Sequence, residues 1–256
     1  MTGYAAVLLA GGAARRMGGT DKPARTVGGQ PMLHRVLAAV ADASERIVVG
    51  PPGSFGPPGK SGRVGESGGS GESGGSGESG GSGESGGSGE SGGSGESGGS
   101  GESGRTGNPG AWPAGVRVIR EEPPGGGPVA ATAAGLALLP SETTTVALLA
   151  ADLPLLTSAA VAELRLALDG STAGVACYVD DAGRRQQLCG VWRLAALRTA
   201  LDRLAAERGG TVDGAPVRGL LAGVTVCEVT WSGTGPPPWF DCDTDEDVRR
   251  AEEWTR

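Results

Sequence analysis

Several kinds of chemistry are excluded by what this chain does not contain. Its four cysteines, at 177, 189, 227 and 242, form no C-x-x-C pair. That leaves neither a zinc knuckle nor a thioredoxin-type motif, and buried free thiols in a reducing cytoplasm are the expectation. The single histidine, His34, falls in a helical pattern and reads as structural. No run approaches the roughly 20 apolar residues of a membrane span. The opening MTGYAAVLLAGG has no basic leader and too short an apolar run for a signal peptide. A cytoplasmic protein without membrane contact is therefore expected. The dinucleotide pattern G-x-G-x-x-G and the Walker A pattern G-x-x-x-x-G-K-[ST] are both missing.

A basic excess is missing too. The formal net charge is −7, and residues 65–104 alone carry seven glutamates and no cation. The rest of the chain is therefore close to neutral, which argues against a nucleic-acid-binding face. Those same residues repeat GESGGS six times and end on GESG, and they hold 20 of the 50 glycines. The period is not that of a solenoid, because GESGGS offers no apolar position to stack. With nothing to bury, the segment cannot offset the entropy of ordering. It reads as a flexible linker spanning roughly 35 Å. Flanking prolines and glycines extend the expected disordered insert to 51–115, inside one domain covering 1–256.

The remainder alternates strand and helix. Buried strands are predicted over Tyr4–Leu9, Arg46–Val49, Val116–Ile119, Thr145–Ala150 and Val224–Thr230, with a hairpin of Gly174–Val179 and Gln187–Trp192 around Asp180-Asp181-Ala182-Gly183. Helices are predicted from Pro31 and over 129–139, 159–168, 194–207 and 215–222, with a last one capped by Thr244. Residues 10–30 read as loop. The pattern predicts an α/β protein with three Rossmann-like layers, a mainly parallel sheet flanked by helices. Such sheets hold ligands at the carboxyl ends of their strands. The polar motifs follow strands: Gly11 to Lys22, Glu121-Glu122, Asp152, and Asp241 with Asp243.

The first of these is LAGGAARRMGGTDK, residues 9–22. Its glycines let backbone N–H groups approach an anion, and Arg15, Arg16 and Lys22 add full charges. This is chemistry for holding a polyphosphate. The stretch resembles the signature of the molybdenum cofactor guanylyltransferase family, within the nucleotidyltransferase superfamily. Other segments agree in order: Val118–Glu122 followed by Gly-Gly-Gly-Pro, LLAADLP at 148–154, Gln186-Gln187-Leu188, and Phe240–Asp247.

The resemblance implies Mg²⁺-dependent transfer of GMP from GTP to a molybdopterin-type cofactor, with release of pyrophosphate. It implies transient contact with the proteins that donate and accept that cofactor. Lys22, Asp152 and Arg16 (or its neighbour Arg15) would be catalytic. Leu9, Ala10, Gly11, Gly12, Lys22, Asp152 and Glu122 (or Glu121) would meet the nucleotide. Asp152 and Asp243 would hold the metal, while Asp241, Arg185 and Gln187 would face the second substrate. Plainer roles stand beside these: Asp152 and Asp243 also suit helix caps, and Arg184 and Arg185 suit solvent. Two departures matter. Ala131 stands where the family has glycine, which would narrow the pocket, and Asp241 and Asp243 stand where some members carry asparagine. Cytidylyl transfer, guanylyl transfer to another phosphorylated acceptor, and nucleotide binding without turnover by a tethered protein are the alternatives.

Overall fold

Ala5–Leu9 (β1) is buried along its whole length because a parallel strand lies on each side of it. The computed structural model describes residues 3–11, 22–51 and 115–256. Most of the expected insert, 52–114, lies outside them, as do Gly12, Arg15 and Arg16. After β1 come two short strands, β2 (Thr26–Val27) and β3 (Gln30–Pro31), then helix α1 (Met32–Ala39) and strand β4 (Glu45–Val49). Residues 115–256 add β5 (Val116–Ile119), α2 (Gly127–Ala137), β6 (Thr145–Ala150), α3 (Ser158–Asp169) and β7 (Val175–Val179). They continue through β8 (Arg185–Arg193), α4 (Leu194–Glu207), α5 (Arg218–Leu221), β9 (Val226–Val229) and α6 (Asp245–Trp254).

Seven strands form one sheet in the order β5-β4-β1-β6-β8-β7-β9. All of its pairings are parallel except those of β8, which runs antiparallel to both β6 and β7. The sheet is thus mainly parallel, as predicted, and β8 makes it mixed. Alternate side chains of the strands feed two cores. Ala6, Leu8, Val48 and Leu149 pack with Leu33 and Leu37 of α1 and Leu164 and Leu168 of α3. Ala5, Val7, Ile47 and Leu148 pack on the other face with Leu136 of α2 and Leu197 and Leu204 of α4. Three layers result, as the alternation of elements requires.

Helix α2 shows how composition sets the depth of a layer. Its sequence, GPVAATAAGLA, is made mostly of small residues. A β-carbon on Gly135 would stand 2.6 Å from Val7 Cγ1 and 3.1 Å from Val49 Cγ2. The helix thus rests on the sheet through bare backbone. Ala131, expected to narrow the pocket, is instead buried in this apolar layer. The last two long helices on the other side begin on side-chain caps. Thr157 accepts from Ala160 N–H at 3.2 Å, and Thr244 and Asp247 exchange bonds in a capping box.

The expected loop at 10–30 holds an element that periodicity missed. β2 and β3 pair antiparallel across Gly28-Gly29, both glycines having positive φ, +59° and +76°. The signal was the Gly-Gly dipeptide, which suits a two-residue hairpin turn. Two-residue strands are too short to show alternation. Val27 of this ribbon and Met32 at the start of α1 pack with Val248 and Ala251 of α6.

Candidate active site

The strand ends bring together residues from both extremes of the chain. Lys22 opens a single 3₁₀ turn over Lys22–Ala24, directly before the ribbon. Asp152 follows β6 and Asp243 precedes α6. The backbone N–H of Cys242 donates to the Asp152 carbonyl at 3.2 Å, which locks the two acidic segments side by side. The Lys22 ammonium donates to Asp152 Oδ2 and, at 2.6 Å, to Asp243 Oδ1. A further ion pair, Arg25 to Asp245, ties the same two segments.

This cluster shifts the titration of its members. Partial burial works to lower the Lys22 pKa, but the Asp152 and Asp243 carboxylates outweigh it and hold the ammonium above the usual lysine range. Asp241 still reaches solvent, yet its carboxyl is pushed above the ordinary range, first by desolvation and then by the charges of Asp243 and Asp152. Cys177, Cys189 and Cys242 are buried, and burial pushes them up to about 11, 12 and 12.

At the end of β1, the Leu9 carbonyl accepts from Ala151 N–H and the Ala10 N–H donates to Val49 O. Those two groups are used by the sheet. Beside Gly11 stands Glu121, not Glu122. Glu121 is buried, its Oε1 accepts from Gly125 N–H at 3.1 Å, and a β-carbon on Gly11 would lie 3.9 Å from it. Glu122 is exposed. Of the two carboxylates that the sequence left open, the strand end turns the first, Glu121, inward. Nothing in a pair of adjacent glutamates marks which one points in.

On the other half of the sheet, β8 starts where the parallel strands end. Its first residues and the segment before Asp241 enclose a cavity of about 410 Å³, lined among others by Arg184, Arg185, Gln186, Trp239, Phe240 and Asp241. Gln186 lines this cavity, and Gln187, the next residue of the strand, is not among its lining residues. Both arginines already have partners: Arg184 pairs with Asp180 at 2.7 Å and Arg185 with Glu228 at 2.8 Å. Trp239 is fixed against Tyr178, with ring centroids 4.9 Å apart, and the Tyr178 hydroxyl lies within hydrogen-bond reach of two acceptors, Ala160 O at 2.9 Å and Glu163 Oε2 at 2.7 Å. Sequence reasoning missed Trp239, since one tryptophan among prolines carries no periodic signal.

Magnesium takes carboxylate oxygens, usually one or two, and completes its shell with phosphates and water. Asp152 and Asp243 converge on one cationic centre, so their chemistry fits such an ion. Among the described residues no group of three or more His, Cys, Asp or Glu is gathered to hold a metal.

A mixed sheet with helices on both faces and its acidic residues at the strand ends defines a nucleotidyltransferase-type α/β fold. The chain belongs to the MobA-like NTP transferase family, whose model matches residues 6–60 and 105–213. It is similar to a molybdenum cofactor guanylyltransferase of Nitrobacter hamburgensis, 54% identical over 52 residues, which make up 19% of this chain and 25% of that protein. The match thus spans about a quarter of that relative's length. The fold is similar to that of molybdopterin-guanine dinucleotide biosynthesis protein A from Archaeoglobus fulgidus, with a TM-score of 0.59 at 15% identity over 97% of this chain and 96% of that one. It is also similar to 2-C-methyl-D-erythritol 4-phosphate cytidylyltransferase from Thermus thermophilus, with a TM-score of 0.56 at 17% identity over 98% of both chains. Among the described residues no helix is long and apolar enough to cross a membrane.

Proposed function

We propose that the chain transfers GMP from GTP to the terminal phosphate of a molybdopterin-bound molybdenum cofactor. The observation that carries this reading is the Lys22 ammonium shared by Asp152 and Asp243 at the strand ends. In the reaction an acceptor phosphate oxygen attacks the α-phosphorus of GTP. One P–O bond forms, the bond from that phosphorus to the bridging oxygen breaks, and pyrophosphate leaves with the electron pair. An anion attacks an anion, so the protein's work is alignment and charge neutralisation.

Lys22 remains cationic throughout the working pH range, because its two carboxylate partners raise its pKa. It would counter the charge that grows on the departing phosphates. Arg16, outside the described residues, would add a second positive charge. The Ala10 carbonyl and Gly11 would meet the nucleotide through backbone, and Glu121 would hold the Gly125 turn against it. A Mg²⁺ ion held by Asp152 and Asp243 would supply further neutralisation and polarise the phosphorus. The cavity beside β8 would take the acceptor, with Arg184 and Arg185 exchanging their carboxylate partners for its phosphate and Asp241 at its rim.

The test is an assay with GTP, Mg²⁺ and the molybdopterin-bound cofactor, following the guanine dinucleotide by chromatography and pyrophosphate by a coupled reaction. Both products should appear in equal amounts. GTP binding without either product would instead make this a non-catalytic binding protein. A cytosine dinucleotide from CTP would move the reading to cytidylyl transfer.

A further inference from the structure

One carboxylate near the site takes no part in the cluster around Lys22. The segment 211–215, between α4 and α5, folds back onto the turn that precedes α2. Gly214 N–H donates to the Gly126 carbonyl at 2.7 Å. A β-carbon on Gly126 would stand 2.7 Å from Asp213 Oδ1. The Asp213 carboxylate therefore lies directly on the backbone of this turn. One residue earlier, Gly125 N–H is held by Glu121, which in turn faces Gly11 at the end of β1.

The backbone of Asp213 is fixed at both ends. Its N–H donates to Thr211 Oγ1 at 3.1 Å, and its carbonyl accepts from Arg208 at 2.8 Å. The carboxylate itself has no hydrogen bond or ion pair among the described residues, and it is only half-buried. It is an acceptor held rigidly over a glycine turn and left without a donor.

We propose that Asp213 selects the base of the nucleotide, accepting hydrogen bonds from adjacent N–H donors on the edge of a guanine. This inference rests on the reading of the chain as a nucleotidyltransferase. An ionised carboxylate only accepts, and its two oxygens match two parallel donors. Guanine presents N1–H and its 2-amino group side by side. Adenine and cytosine present a ring nitrogen lone pair at the corresponding position, which the carboxylate repels. A site built to bond such donors rejects a base that lacks them, because its own polar group is then left unpaired. Hypoxanthine keeps N1–H and lacks the 2-amino group, so it reports on the second bond alone.

The experiment is calorimetric titration of the full chain with GTP, ITP, CTP and ATP in Mg²⁺, for the wild type, Asp213→Ala and Asp213→Asn, each with a melting curve. The wild type should bind GTP roughly 10-fold or more tightly than ITP, and Asp213→Ala should weaken GTP about 10- to 100-fold and close that gap, as expected for bonds to a charged group. CTP and ATP should not weaken. Asp213→Asn, which keeps the shape and one acceptor, should fall between and covers the case in which the alanine variant fails to fold. Unchanged GTP affinity in a folded variant would overturn the inference while leaving the nucleotidyltransferase reading in place. An equal loss for all four nucleotides with a lower Tm would also overturn it, by showing that Asp213 only supports the turn. A wild type that binds no nucleotide, or prefers CTP, would bring down the guanylyl reading and this inference together.

Discussion

Asp152 and Asp243 hold one and the same ammonium between them, that of Lys22. Two carboxylates placed side by side repel, and the lysine's positive charge between them offsets that repulsion. Replacing it removes the charge proposed to act on the departing phosphates and leaves that repulsion uncompensated. Lys22→Ala should lower kcat by about 10²- to 10³-fold, the usual cost of losing one preorganised charge at a reacting group. Initial rates of pyrophosphate release would measure it, and Asp152→Ala should likewise abolish turnover with the fold kept. Full activity in either variant would contradict the assignment.

Asp241 gives a prediction with a definite sign. Its carboxyl is raised in the folded chain by desolvation and by Asp243 and Asp152, so its charged form is disfavoured on folding. Above that raised pKa the charge therefore costs stability, and the cost vanishes as pH falls below the value of the unfolded chain. Asp241→Asn should melt higher than the wild type at pH 7. The difference should shrink as pH is lowered through the carboxylate range. Melting curves at several pH values would check it, and a difference independent of pH would count against the charge.

Gly135 is the point where α2 touches the sheet. A glycine in a helix normally costs about 1 kcal/mol relative to alanine. Here a β-carbon would meet Val7, a fully buried residue of the central strand, at 2.6 Å. Gly135→Val should therefore destabilise the protein by about 1–3 kcal/mol, as overpacked cores do. Urea denaturation would show the loss as a lower midpoint with an unchanged slope.

The repeat gives a prediction of little change. Closure of a flexible loop costs only about 0.6 kcal/mol more for each doubling of its length. Deleting residues 66–103 should leave the Tm and the kinetic constants nearly as they are. A large loss of activity would show that the repeat takes part in binding substrate.

Much of this was legible from local pattern. TVALLA at 145–150 and the 14 residues of α4 stand where periodicity puts them, and Thr244 caps the helix it precedes. Lys22, Asp152, Asp241 and Asp243 were readable as polar residues next to strands, and the fold does bring them together. Non-local facts were not readable. Nothing along the chain says that β8 inserts between β6 and β7, or that the segment carrying Asp213 returns to the Gly125 turn. Those depend on which surfaces meet. The orientation of Glu121 over Glu122 depends on the pleat at a strand end, where a one-residue difference reverses the side chain.

The lock between Cys242 and Asp152 sets an order of events during synthesis. The seven-stranded sheet needs nothing beyond Val229, and chains fold from the N-terminus as they emerge. Asp241, Asp243 and α6 leave the ribosome after that. The nascent chain can therefore build its scaffold while lacking the second carboxylate that holds Lys22. The pairing of Lys22 with Asp243 therefore follows synthesis of every sheet strand, and a chain cut short before Asp241 would lack it.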